Sequence, residues 1–133
     1  MARVLVTGAN GFAGRAICRH LLAQGWDVRG SVRGLEAAVP EGVEKVVSGP
    51  LDGATDWRAA LQGAEAVVHC AARVHVLRET AADPAAAFRS VNGEASRRLA
   101  EQAVAAGVGR FVFLSSIGAA VAEADPAQAN AYQ

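Results

Sequence analysis

Apolar positions in this chain come in short unbroken runs separated by stretches where they recur every three or four residues, and the two patterns alternate from end to end. The run Val4-Leu5-Val6 predicts a first strand. Behind it, Ile17, Leu21 and Leu22 keep helical spacing as far as Gln24-Gly25, glycine being favoured just past a helix end. Residues 26–33 predict a second strand and 43–47 a third, and Trp57, Ala60 and Leu61 make one apolar face of a short helix that stops at Gly63. Residues 64–72 form a nearly continuous apolar fourth strand with its exit, as in a parallel sheet covered on both faces. Asp83-Pro84 opens the longest helix, whose stripe of Phe88, Val91, Ala95, Leu99, Ala103 and Ala106 must face the sheet before Gly107 ends it. Residues 110–116 supply a fifth strand. Five strands alternating with helices through right-handed crossovers specify a doubly wound parallel α/β sheet in three layers, with the order 3-2-1-4-5.

The first strand ends in three glycines spaced three apart: Thr7-Gly8-Ala9-Asn10-Gly11-Phe12-Ala13-Gly14. Gly8 suits a tight exit from the strand, Gly11 lets backbone approach a diphosphate, and Gly14 permits close packing of helix on strand. Unpaired amides and the positive end of the helix dipole would hold the phosphates without a lysine. Three glycines alone are weak evidence of a ligand, since a glycine-rich turn can have none. The strand before them and the helix after them are what point to a dinucleotide. About 20 residues further on, where an Asp or Glu would bond both ribose hydroxyls, stand Val32, Arg33 and Gly34. An arginine there suits a 2′-phosphate, so NADP is expected over NAD, although a solvated loop arginine near Glu36 is the simpler alternative.

Composition narrows the picture. A chain of 133 residues with 52% hydrophobic residues can bury one core, and the reading is one domain over residues 1–133. Thirteen basic residues balance thirteen acidic ones, so no overall field would draw in nucleic acid or an anionic membrane surface. Cys18 and Cys70 lie in apolar segments without metal-like spacing and are expected buried and reduced, and no metal site is expected. The apolar run after Met1 is too short for a signal peptide or membrane span, which makes a cytoplasmic location the expectation. Trp57 and His69 both read as core residues, the histidine hydrogen-bonded. Arg73 and His75, in the loop after the fourth strand, are better placed to meet a substrate.

The glycine loop, the fourth-strand exit His69-Cys70-Ala71-Ala72 and the stretch Phe111-Val112-Phe113-Leu114-Ser115-Ser116 resemble the extended branch of the short-chain dehydrogenase/reductase superfamily, the NAD-dependent epimerase/dehydratase family with its Rossmann, NAD(P)-binding fold. The resemblance runs up to Ile117. It implies cofactor contacts from Gly8, Asn10, Gly11, Phe12, Gly14, Leu51, Ala71, Ala72, Asn92 and Ser115 beside Arg33, with Asn92 next to the nicotinamide pocket. It implies that Ser116 orients a substrate oxygen and that Tyr132 is the proton-abstracting base, Tyr132 having an unremarkable aromatic as its alternative reading. The substrate implied is a small molecule, usually a nucleotide sugar, acted on by reversible hydride transfer.

Three departures from the family stand out. Pro50 occupies the place of an aspartate that recognises adenine, leaving that task to the Leu51 backbone or Asp52. The only lysine is Lys45, so the lysine that lowers the tyrosine pKa is missing. At 133 residues the chain is also much shorter than members of that family, so it is expected to lack the C-terminal substrate lobe and to bind nucleotide but turn over poorly. Two other functions stay open: an NADPH-dependent reductase of small carbonyl compounds, similar to dihydroflavonol reductases in residues 28–33, and a non-catalytic NADP sensor. A homodimer is also left open.

Overall fold

The computed structural model describes residues 2–71 and 89–114. Five parallel strands make one sheet: β1 (Arg3–Thr7), β2 (Asp27–Val32), β3 (Glu44–Val47), β4 (Ala66–His69) and β5 (Arg110–Phe113). Their order is β3-β2-β1-β4-β5, as the crossover argument requires. In register, Val4 lies between Val28 on β2 and Ala66 on β4, and Thr7 lies beside His69.

Alternation along β1 divides the core. Val4 and Val6 point to the layer of α1 (Phe12–Ala23), where they pack with Cys18, Val28 and Val32. Leu5 points to the opposite layer and packs with Trp57, Ala60 and Leu61 around α2 (Arg58–Leu61) and with Leu99 and Ala103 on α3 (Ala95–Ala105). Trp57 is fully buried, as read from sequence. Its backbone N–H donates to Gln102 Oε1 at 2.8 Å and Gln102 Nε2 donates to the Thr55 carbonyl at 2.9 Å, which fastens α2 to α3.

Four features differ from the pattern read in the sequence. The β2–β3 crossover, residues 33–43, contains no helix. Gly34, Pro40 and Gly42 fall in it, and the Lys45 ammonium instead donates to the carbonyls of Leu35 and Ala37 at 2.6 and 3.1 Å. The long helix enters α3 through a wider π-helical turn, Arg89–Glu94, while the segment 72–88, with the expected start at Asp83-Pro84, lies outside the described residues.

Third, Arg29 on β2 is buried, where the strand pattern gave no role to a charge. Its Nη1 donates to the carbonyls of Ala59, Ala60 and Gln62 at 3.1, 2.9 and 2.8 Å and closes the carboxyl end of α2, while Nε reaches Glu44 at 3.4 Å. Fourth, Cys18 is buried but Cys70 is only partly so; both are free thiols whose pKa burial pushes up to about 11. Among the described residues no helix is long and apolar enough to cross a membrane, and no group of three or more His, Cys, Asp or Glu side chains could hold a metal ion.

Candidate functional site

The carboxyl edge of the sheet is built around the turn from β1 into α1. Gly8 has φ +63, and a Cβ on it would lie 2.9 Å from both the Cα and the N of Ala71. Only glycine fits between the two strand exits. Gly14 is buried in the first turn of α1, where a Cβ would collide with the Gly8 carbonyl oxygen and stand 2.8 Å from the Gly8 carbonyl carbon. The loop closes through the Gly11 N–H donating to the Gly8 carbonyl at 3.0 Å, and the first helical bond runs from Arg15 N–H to the Gly11 carbonyl at 3.0 Å.

Gly11 is the N-cap of α1 in extended conformation; no side chain caps the helix and its first turn carries no acidic residue. The amides of Phe12, Ala13 and Gly14 therefore point out of the helix end with the dipole behind them. Asn10, Gly11 and Phe12 are exposed around this opening, Phe12 to 92%. The arrangement fits a diphosphate: bare backbone, unfilled donors and an apolar ring at the rim.

The wall behind the loop is polar and buried. Thr7 Oγ1 accepts the backbone N–H groups of Cys70 at 3.0 Å and Ala71 at 3.1 Å. With both lone pairs engaged, its proton goes to His69 Nδ1, 2.6 Å away. His69 is accordingly the Nε2–H tautomer and donates to Ser96 Oγ at 2.8 Å, and Ser96 donates to the Asn92 carbonyl at 3.0 Å. Thr7 and His69 are 0% and 2% exposed, and burial lowers the His69 pKa to about 4. His69 is the hydrogen-bonded core residue expected from its place in an apolar strand.

The other residues singled out in the sequence fall at different depths. Arg33 is exposed one residue past the end of β2. The Glu36 carboxylate folds against Gly34, close enough to collide with a Cβ there, and Arg33 makes no ion pair with another described residue. The Leu51 side chain is in the core, so only its backbone faces outward contacts. Asp52 Oδ1 accepts the Ala54 N–H at 2.7 Å, which commits that carboxylate to a local turn. Asn92 is half-buried in the π-helical turn and Ala71 lies against Gly8. Ala72, Arg73, His75, Ser115, Ser116 and Tyr132 lie outside the described residues.

Thr7 and Ser96 were not singled out by sequence reading as parts of the site. A signal for each was present: Thr7 is a hydroxyl at the end of an apolar strand and directly before the glycine loop, and Ser96 follows Asn92 by four residues, the spacing at which a helical serine reaches back to a carbonyl.

The profile of the NAD dependent epimerase/dehydratase family matches residues 4–132. The chain is 36% identical over 115 residues to the UDP-glucose 4-epimerase of Vibrio cholerae, an overlap of 86% of this chain and 34% of that protein. A short-chain dehydrogenase/reductase superfamily protein from Agrobacterium tumefaciens, solved with bound NAD, superposes with a TM-score of 0.70 at 38% identity, covering 87% of this chain and 33% of that one. MoeE5 in complex with UDP-glucose and NAD superposes with a TM-score of 0.71 at 29% identity, over 88% and 37% of the two chains. The chain thus spans about a third of the length of these relatives.

Proposed function

This chain belongs to the NAD dependent epimerase/dehydratase family, and on that premise we propose that it binds a nicotinamide dinucleotide for reversible hydride transfer at a hydroxyl-bearing or ketone carbon of a nucleotide sugar. The observation that carries this reading is the uncapped amino end of α1 set beside the bare backbone of Gly8 and Ala71. The dinucleotide, when bound, supplies the hydride donor and acceptor. The residues of the chain bind and orient. The first-turn amides of α1 hold the diphosphate, the bare backbone of Gly8 and Ala71 lets a ribose approach closely, and Asn92 borders the nicotinamide end, a role that rests on the family resemblance of that position. Ser116 holds the substrate oxygen and Tyr132 takes its proton, roles that rest on the family resemblance of those two positions. The nucleotide-sugar class rests on the likeness to UDP-glucose 4-epimerase and to MoeE5 in complex with UDP-glucose.

Arg33 makes NADP the preferred dinucleotide. Its guanidinium is exposed at the end of β2, and the nearby Glu36 carboxylate is turned onto Gly34. Calorimetric titration of NADP and NAD against the wild-type chain and Arg33→Asp tests both levels of the reading. Wild type is expected to bind NADP at least about tenfold more tightly, and the aspartate variant to reverse that order. Equal affinities would remove the role of Arg33, and binding of neither dinucleotide would overturn the assignment of the site.

A further inference from the structure

One hydrogen-bonded chain, Thr7–His69–Ser96–Asn92, spans the back of the candidate site. Its two ends do different things. At the β1 end, Thr7 gathers the Cys70 and Ala71 amides and so fixes the backbone that faces Gly8. At the α3 end, the Ser96 hydroxyl holds the Asn92 carbonyl, in the π-helical turn Arg89–Glu94. Every donor in the chain has one acceptor available to it, so the direction of all the bonds is set by the two amides that enter Thr7.

We propose that Ser96 is a positioning residue for the nicotinamide half of the dinucleotide, holding Asn92 in register through its bond to the Asn92 carbonyl while His69 fixes Ser96 in turn. This rests on the dinucleotide reading of the site. Wide turns of this kind are locally less regular than α-helix and are common at functional sites. A slip of one residue in helical register turns a side chain by about 100° around the axis, enough to carry Asn92 off the sheet edge. The Ser96 hydroxyl opposes that slip from a fixed point, because His69 lies on a strand rather than on the helix.

The chain can be cut on one side only. Removing the Ser96 hydroxyl takes away its bond to the Asn92 carbonyl and leaves Thr7 bonded to His69 and to both amides, so the diphosphate side keeps its geometry. Ser96 is half-buried at the second position of α3, where alanine is a good helix former. A merely structural serine would affect all ligands of the site alike. A positioning serine affects only those that carry nicotinamide.

The experiment compares the full chain with Ser96→Ala, Ser96→Cys and Ser96→Thr by calorimetry. The ligands are NADP and NAD, together with ADP-ribose and its 2′-phosphate, which lack nicotinamide. Ser96→Ala and the near-isosteric Ser96→Cys are expected to weaken the dinucleotides about tenfold and the nicotinamide-free ligands less than twofold, and Ser96→Thr to restore wild-type binding of both. An equal loss on both ligand types, or no loss on either, overturns the proposal while leaving the dinucleotide site standing. A wild-type chain that binds none of the four ligands overturns the site reading and this proposal with it.

Discussion

Acidification should destabilise this protein through His69 before it protonates most carboxylates. The folded chain resists protonating His69 for two reasons: the ring is buried at 2% exposure, and its Nδ1 already accepts the Thr7 proton at 2.6 Å. A proton on Nδ1 would face a hydroxyl whose lone pairs are taken by the Cys70 and Ala71 amides, setting two donors against each other. Burial lowers the His69 pKa to about 4, against about 6.5 for a histidine in the unfolded chain. The unfolded state therefore binds a proton that the folded state refuses between those two values. The stabilisation is fully present above about pH 6.5 and is lost as pH falls toward 4. At about 1.4 kcal/mol per decade, linkage gives a loss of about 2 kcal/mol at pH 5 and about 3 kcal/mol below pH 4. The first of these corresponds to a fall of roughly 8 °C in thermal midpoint for a domain of this size.

Urea titrations followed by far-UV circular dichroism from pH 7.5 to 4.5 would read this directly, with His69→Gln as the reference. Glutamine keeps a donor and an acceptor but does not titrate, so it should be less stable than wild type at pH 7.5 by about 1–2 kcal/mol, match it near about pH 5 and exceed it at the acid end of the range. The difference between the two curves removes the carboxylates and the other two histidines, His20 and His75, which both proteins share. A gap between wild type and variant that stays constant across this range would refute the reasoning, because it would mean that His69 titrates alike in folded and unfolded chains.

Gly14→Ala should cost roughly 3 kcal/mol in the same urea titration and abolish dinucleotide binding, because its Cβ meets backbone of Gly8 and comes 3.1 Å from the Ala9 Cα, atoms that cannot rotate aside. Gly11→Ala, whose Cβ has only the Gly8 carbonyl oxygen at 3.3 Å, should cost under about 1 kcal/mol and serves as its control. Arg29→Met should destabilise by about 3 kcal/mol by stranding the carbonyls of Ala59, Ala60 and Gln62, whereas Glu44→Gln should cost under about 1 kcal/mol, since the Glu44 side chain is 55% exposed and 3.4 Å from its partner. Equal effects of the two substitutions would mean that the ion pair, not the carbonyls, holds Arg29.

Most of the sheet was legible because hydrophobic burial leaves a periodic record. Val4-Leu5-Val6 and Ala66-Val67 are buried and Val68 partly so, so they read as unbroken runs, and crossover handedness then orders the strands. Glycines that solve a packing problem were legible too, since no other residue fits at Gly8 or Gly14. The β2–β3 crossover breaks the alternation of strands with helices because its packing uses no helical stripe. Ala37, Val39 and Val43 cover the α1 layer from an irregular path tied down by Lys45, and the pairing of an ammonium with carbonyls eight and ten residues away leaves no periodic trace.

Polar contacts inside the core were the least legible, and the reason is general. Apolar residues report where they sit by their spacing, but a buried polar group is defined by its partner, and the partner is chosen by register. Arg29 in a strand and Ser96 on a helix look like surface residues until the sheet places the first over the end of α2 and the second opposite His69. The same logic bears on the site. His69 was recognisable as a satisfied core histidine from its apolar run, yet what satisfies it depends on Thr7 pairing with His69 across β1 and β4 in that register and no other. Shifting β4 by one residue would turn His69 to the opposite face, toward α1, and break the link between the glycine loop and α3. The register that builds the sheet is therefore also what joins the diphosphate end of the candidate site to the turn that carries Asn92.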